Sequence, residues 1–452
     1  MTGVRSAGPA ALLSILVLSV GRAYGAGRGL GGAPPAGGGI QGAPPASVPL
    51  HALPDVDVDE LKREDAIALS LLTKKQRVGW QQKIDLSPGR IGGLIETLQG
   101  EARVWRTRVR SPGALWLLLG FGTYLPGEGV ELYVYSEDRS VLLGKFTRAD
   151  IRPHGQLWMP PIEGDAAVVE LHWPGGEDAE LPNVHLGSVT HGYRPFGEIG
   201  KHHTGHDGDS GACNNDINCP EGAAWTDQRD AGVNLLTDSG THVCSASLIT
   251  TAEQDCRNLV LTAAHCLNTQ AEAASTVFQF NYERPGCASG LAPTDRTTTG
   301  GQLRATYGPS DMTLLEMDED VDATFNAFYA GWSRDTAPGT ESTGIHHPRG
   351  DVKKISFNTD PLVDGTNYGP NHWRITEWEQ GTTEGGSSGS PLFDQDQRII
   401  GQLHGGQASC TNITWDEYGK LSVSWDGGGT PDTRLRDWLD PDGTGEQAID
   451  GT

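Results

Sequence analysis

Apolar residues fall in short runs separated by turn formers along most of this chain. "LWLLLGFG" (Leu115 to Gly122), "VELYVYS" (Val130 to Ser136), "VLLGKF" (Val141 to Phe146) and "AAVVELHW" (Ala166 to Trp173) each have the length of a strand. "PGEG", "EDRS" and "PPIEGD" divide them as turns. That spacing predicts a small antiparallel β-sandwich over residues 75–184. Further buried-strand runs follow Cys213, among them "LVLTAAHCL" (Leu259 to Leu267) and "YGPSDMTLLEM" (Tyr307 to Met317). The expected class is all-β, and a length of 452 residues with 62 Gly and 27 Pro fits two or three turn-rich domains.

Other segments break the pattern. Residues 26–74 open with "AGRGLGGAPPAGGGIQGAPPASVPL", which has little to bury and reads as a Gly/Ala/Pro-rich linker. Upstream, Arg5 precedes the apolar run "AALLSILVLSV" (Ala10 to Val20), which is short for a bilayer span. Ala23 and Gly25 then supply the small residues of a cleavage site, so residues 1–25 read as a signal peptide, with a membrane anchor as the alternative. The expected product is exported, soluble and without stable membrane association. Residues 185–212, containing "HLGSVTHGYRPFGEIGKHHTGHDGDSG", read as an exposed connector. Its five histidines could hold a metal, but a solvated loop is the better reading, and no metal or cofactor is expected.

The net charge of -24 argues against a general nucleic-acid partner. All seven cysteines lie between Cys213 and Cys410, with no C-x-x-C pair. On an export route six would pair and one would be left over. Their clustering also marks a domain starting at residue 213 and running to 452.

The candidate chemistry lies in that domain. "EGGSSGSPLF" (Glu384 to Phe393) alone is a polar loop. Preceded by His265 at a strand end and Asp311 before an apolar strand, it completes a set of base, carboxylate and hydroxyl in an order known for one nucleophilic triad. A hydroxyl needs an adjacent base to attack at pH 7. Imidazole can take that proton and return it to a leaving amine, and a buried carboxylate fixes the tautomer. Spacing alone leaves Ser387 and Ser388 both open as the nucleophile.

"TAAHC", "SDMTLLE" and "GSSGSP" resemble the signature segments of trypsin-like serine peptidases. "CNNDINCPEG", "IHHP", "GQLHGG", "SVSWDGGG" and "RLRDWLDPDGTGEQAIDG" narrow the resemblance to the bacterial lysyl endopeptidases, from about Cys213 to the C-terminus. The resemblance implies a double β-barrel preceded by a sandwich-like pro-region, and an enzyme that hydrolyses peptide bonds after lysine. It implies His265, Asp311 and Ser388 as the triad, with Gly386 and Ser388 as oxyanion donors. Ser387 stands where many trypsin-like enzymes carry the Asp that captures a new N-terminus, so that activation switch is not expected. The implied disulfides are Cys213–Cys410, Cys219–Cys287 and Cys244–Cys266, leaving Cys256 free. Thr382 occupies the position of trypsin's pocket Asp, and Asp416 is the implied specificity carboxylate, though its loop is short and a surface turn Asp is the alternative. His404 matches a pocket-wall histidine, with Tyr368 the one nearby ring, and the backbone of His404, Gly405 and Gly406 is expected to pair with substrate. Partners are then protein or peptide substrates and the chain's own pro-region, with a monomer expected. Lys201, in the connector, is the expected processing site. Arginine or glutamate specificity, or an inactive binding homologue, are the rival readings.

Overall fold

The computed structural model describes residues 29–30, 48–68, 75–90, 93–97, 102–176, 180–197, 199 and 210–452. The described chain is built mainly from β-strands. In the N-terminal half two sheets face each other. One runs Gly29–Leu30, Val141–Phe146, Glu131–Ser136, Ala166–Trp173, Arg103–Arg110 and Leu50–Ala52, with Leu94–Thr97 on Arg103–Arg110. The other runs Leu157–Trp158, Trp116–Leu125, Asn183–Gly192 and Gly79–Leu86, with Ile162–Glu163 on Trp116–Leu125.

Trp116–Leu125 explains why "LWLLL" is apolar without a break. Leu117, Leu119 and Phe121 enter the sandwich core with Leu132, Val134, Val169 and Leu171. Trp116 and Leu118 point the other way and pack with Phe196, Leu236, Val243 and Val277 of a second cluster. A strand covered on both faces reads as a continuous apolar run.

Two boundaries read from the sequence differ from the structure. The stretch read as a linker contains the strand Leu50–Ala52, parallel to Arg103–Arg110, and the helix Val58–Ala68. Leu53 and Leu61 are buried, so a few apolar residues suffice to dock it. The stretch read as a connector begins inside the strand Asn183–Gly192, which pairs with both Trp116–Leu125 and Gly79–Leu86. Its glycines and histidines, and a register shift between Leu186 and Ser188, hide the inward set Val184, Leu186 and Val189. His191 is buried with Nδ1 2.8 Å from Ser111 Oγ, and burial lowers its pKa to about 4. The connector's His202, His203 and His206, and Lys201, lie outside the described residues.

The C-terminal half builds two more sheets, one of eight strands that takes Gln76–Arg77 from the N-terminal half as one of its strands, and one of ten. The first centres on Gly232–Thr237, His242–Leu248, Leu259–Ala263 and Met312–Met317. The second centres on Ser342–His346, Pro391–Asp394, Ile399–Gly406 and Asp416–Lys420. Both feed one core that includes Leu235, Leu261, Leu314, Trp332, Phe393 and Trp425. The all-β expectation holds, and these are the two barrels that the resemblance implies. Disulfides join Cys213 to Cys410, Cys219 to Cys287 and Cys244 to Cys266, while Cys256 is free and exposed. Among the described residues no helix is long and apolar enough to cross a membrane.

Candidate active site

The site forms where the two C-terminal sheets meet. Leu259–Ala263 is fully buried and antiparallel to Met312–Met317, with Ala263 opposite Met312. That register brings His265, just past one strand's end, beside Asp311, just before the other's start. Asp311 adopts a left-handed conformation (φ 53°), which Asp tolerates better than most residues. Its carboxylate accepts the His265 backbone N–H at 2.9 Å through Oδ1, and Oδ2 lies 2.6 Å from His265 Nδ1. On the other edge of the ring, Nε2 lies 2.7 Å from Ser388 Oγ. Asp311 and Ser388 are buried, so these contacts are largely shielded from water.

The loop around Ser388 is fixed from several sides. Gly386 and Gly389 have φ of +96° and +79°. A Cβ on Gly389 would lie 2.1 Å from Thr262 Oγ1 and 2.5 Å from Ser245 O, so the second small residue is needed for close approach as well as for the turn. Ser245 donates its N–H to Ser388 O at 2.7 Å and its hydroxyl to Gly386 O at 2.9 Å. Among the described residues no acceptor takes the N–H of Gly386 or Ser388. Ser387 points away from Ser388 into a buried polar chain. Its Oγ is 2.8 Å from His346 Nδ1, and His346 Nε2 is 3.1 Å from Ser356 Oγ, which donates to Thr382 O at 2.8 Å. Glu384 accepts from Gly211 N at 2.7 Å, Asn214 Nδ2 at 2.8 Å and the Arg349 guanidinium at 2.8 Å. The loop is thus braced by hydrogen bonds at Ser387 and by a buried carboxylate that reaches the Ser210–Gly211 segment.

Asp416 lies fully buried in the second sheet, opposite Gly406. Its Oδ2 accepts from Trp378 Nε1 at 2.8 Å and Thr383 Oγ1 at 2.6 Å. A Cβ on Gly406 would sit 2.2 Å from Asp416 Oδ1, so only glycine leaves that oxygen room. Thr383 rather than Thr382 touches the carboxylate. Thr382 instead contributes its carbonyl to the Ser356 contact.

Residues 207–419 match the family model described as the lysyl endopeptidase C-terminal domain. The resemblance read from the motifs thus holds over the C-terminal half. A lysyl endopeptidase of Pseudomonas aeruginosa is 30% identical over 277 residues, covering 58% of this chain and 59% of that protein. The chain therefore spans less than two thirds of this relative. Among solved structures, a thermostable serine protease AL20 from an extremophilic microorganism is similar at 16% identity, with TM-score 0.33, over 42% of this chain and 92% of the other. A Glu endopeptidase is similar at 16% identity, with TM-score 0.28, over 42% of this chain and 85% of the other.

In this lysyl endopeptidase-like half, a stack of rings extends from the His–Asp pair. His404 lies 5.5 Å from His265 between ring centres, and Tyr368 stacks on its other face at 3.7 Å with planes 16° apart. His404 Nδ1 is 3.0 Å from His372 Nε2 and 3.8 Å from Asp311 Oδ2. Burial lowers the His404 pKa to about 4 and also lowers that of His372, so both rings are neutral at pH 7. Tyr368 is held in turn by Glu417, next to Asp416 but on the opposite face of the strand. Glu417 accepts the backbone N–H groups of Thr366, Asn367 and Tyr368 at 2.9, 3.0 and 2.8 Å and the Arg374 guanidinium at 2.8 Å. Burial pushes the Glu417 carboxyl up, but these donors outweigh it and hold the group below the usual carboxylate range.

Trp378, Thr383, His372 and Glu417 escaped the sequence reading. The one usable signal was the carboxylate pair Asp416–Glu417, whose alternation along a strand sends one side chain to each face. Among the described residues, the group able to gather on a metal is His265, Asp311 and His404, whose ligand atoms lie within 4.8 Å of one another. The His265–Asp311 contact at 2.6 Å makes proton handling the chemistry this arrangement suits.

Proposed function

We propose that this chain is a precursor of a serine endopeptidase that cuts peptide bonds after lysine. The observation that carries the reading is the hydrogen-bonded line from Ser388 through His265 to Asp311, at 2.7 and 2.6 Å, with Asp416 buried nearby. His265 takes the Ser388 proton as Oγ attacks the scissile carbonyl. Asp311 stabilises the imidazolium and holds the tautomer. The N–H groups of Gly386 and Ser388 receive the oxyanion, each such donor contributing about 3 kcal/mol in comparable sites. His265 then protonates the leaving amine and activates the water that releases the acyl group.

Asp416 supplies the charge that a lysine side chain seeks. An ammonium is a compact point charge and guanidinium a broad planar fork, so a pocket narrowed by Trp378 and Thr383 favours lysine over arginine. Glutamate would face a carboxylate in the same pocket. An inactive binding homologue has no need for the complete Ser388–His265–Asp311 line. Export as a monomer, with residues 1–25 removed and maturation by cleavage after Lys201, belongs to the same proposal, and the three disulfides favour an oxidising compartment.

The test is digestion of a mixed protein sample with sequencing of the cut sites, alongside a Ser388→Ala variant. Cuts after lysine are expected, with about 10⁴-fold or greater loss in the variant. Cuts after another residue would move the specificity assignment, and full activity of Ser388→Ala would end the mechanism.

A further inference from the structure

The N-terminal half does more than pack beside the C-terminal half: it lays an extended segment against the candidate cleft. Gln76–Arg77 pairs antiparallel with His242–Leu248, Gln76 opposite Val243 and Arg77 opposite His242. Val78 and Gly79 continue the contact by donating to Thr241 O at 2.7 and 3.1 Å. Read backwards from Arg77 to Lys75, the segment runs towards Cys244 and Ser245. Ser245 is the residue whose N–H holds the Ser388 carbonyl. Cys244 is bridged to Cys266, the neighbour of His265. At about 3.4 Å per strand residue, Val243 lies roughly 7 Å along the strand from Ser245. The Lys75 ammonium closes the distance, donating to Cys266 O at 3.1 Å and lying 3.6 Å from Asp238 Oδ2.

The side of the cleft follows from the topology. Gly389 donates to Leu403 O at 2.8 Å, and the strand Ile399–Gly406 leads to Gly406, opposite Asp416. The specificity pocket is therefore on the Ile399–Gly406 side of Ser388. The strand His242–Leu248 reaches Ser388 from the other side, where the part of a substrate that leaves as an amine must lie. We infer that the edge at His242–Val243, with Cys266 O and Asp238, is a binding site for the leaving-group side of an extended peptide carrying a basic side chain. In the intact chain, Lys75–Arg77 fills this site. The inference rests on the proposed endopeptidase reading for the meaning of "leaving-group side", but the contact itself does not.

The chemistry of the site suits a lysine. Its hydrogen bond from His242, acting against burial, and then the Lys75 charge hold the Asp238 carboxyl down to about 2, so it is anionic at neutral pH. The Lys75 side chain is largely covered, with 18% of its surface exposed, so its charge is poorly served by water and depends on these two acceptors. Arg77 plays a different part. Its guanidinium turns back to Asp65, Glu64 and the Leu61 carbonyl of the helix Val58–Ala68, anchoring the segment to its own half. Elsewhere the halves are joined by Arg152 to Glu319 at 2.6 Å and His154 to Asp318 at 2.8 Å. The whole N-terminal half thereby holds the short strand in place, and a peptide substrate has to displace it.

The test uses the full chain carrying Ser388→Ala, so that nothing is cut. The probe is a fluorescein-labelled, N-acetylated peptide of residues 75–80, Lys-Gln-Arg-Val-Gly-Trp, followed by fluorescence anisotropy. Gln76→Pro and, separately, Lys75→Glu are added to loosen the resident strand, with circular dichroism to check folding. The peptide should bind each loosened chain at least tenfold more tightly than the parent. Adding Asp238→Asn should weaken that binding about tenfold, whereas adding Asp416→Asn should not. Equal affinity for parent and loosened chains, no binding to either, or dependence on Asp416 instead of Asp238 overturns the inference. Fluorophosphonate labelling of the chain with Ser388 intact reports on the endopeptidase reading separately: unlabelled Ser388 with normal peptide binding sinks that reading alone.

Discussion

Replacing Asp416 with asparagine removes one charge from a fully buried position and changes little in volume. In the native site Oδ2 takes hydrogen bonds from Trp378 Nε1 and Thr383 Oγ1. The indole N–H can only donate, so an asparagine at 416 must turn its carbonyl oxygen towards Trp378. Its NH₂ group then faces the side that Oδ1 occupied, next to Gly406. A lysine ammonium would lose a carboxylate and meet a donor. A charge pair about 4 Å apart at an effective dielectric of 20 is worth about 4 kcal/mol. At about 1.4 kcal/mol per factor of ten, kcat/KM for a lysyl substrate should fall about 10³-fold. A methionyl substrate of similar length but no charge should change little, because its side chain never used the carboxylate. The assay is kcat/KM for the two matched substrates with wild type and variant, with the fluorophosphonate rate at Ser388 as a check on the catalytic line. A lysyl loss below tenfold, with folding and labelling normal, would falsify Asp416 as the anchor for lysine.

Three further outcomes follow from buried polar contacts elsewhere. Ser387→Ala removes the partner of His346 Nδ1 and of the Glu384 N–H, which should cost about 1–3 kcal/mol by urea unfolding; no change would mean that the loop is not held from beneath. Glu417→Ala frees the backbone of residues 366–368, so Tyr368 should leave His404 and kcat/KM should fall, while Arg374→Ala, which removes one of four donors, should do less; equal effects would deny the clamp. Burial raises the Glu319 carboxyl from 4.5 to about 7, so the folded state favours its neutral form. Its contribution to stability is complete below about pH 4.5 and is lost as pH rises to about 7, a span of about 3 kcal/mol. The difference in stability between wild type and Glu319→Gln should therefore vary over that range and be flat above it, and a flat difference throughout would refute the burial argument.

What could be read from the letters, and what could not, divides by the range of the interactions. The runs from Leu115 to Trp173 are legible because a strand's length and its bounding turns are local properties. Asn183–Gly192 is as long in the structure, but its inward Val184, Leu186 and Val189 are spaced two and then three apart across a register shift between Leu186 and Ser188, with His185 and Gly187 between them, so no simple period of two survives in the letters. Leu50–Ala52 is weaker still: it forms by pairing with Arg103–Arg110, more than fifty residues away, and nothing local demands it. The same division runs through the site. His265, Asp311 and Ser388 stand in segments whose neighbours identify them, since a strand end, a left-handed turn and a glycine-flanked loop each leave a local mark. Trp378 and Thr383 meet Asp416 only because the chain folds back on itself before Ser388, and neither stands in a segment that marks it. Glu417 shows why such residues matter. One step along the strand from Asp416, its carboxylate holds the turn that carries Tyr368 against His404, and His404 faces His265. On the proposed reading, a single strand supplies both the charge for the substrate side chain and the brace for the rings beside His265, so its register would couple specificity to proton transfer. A one-residue slip would exchange the two faces and lose both at once.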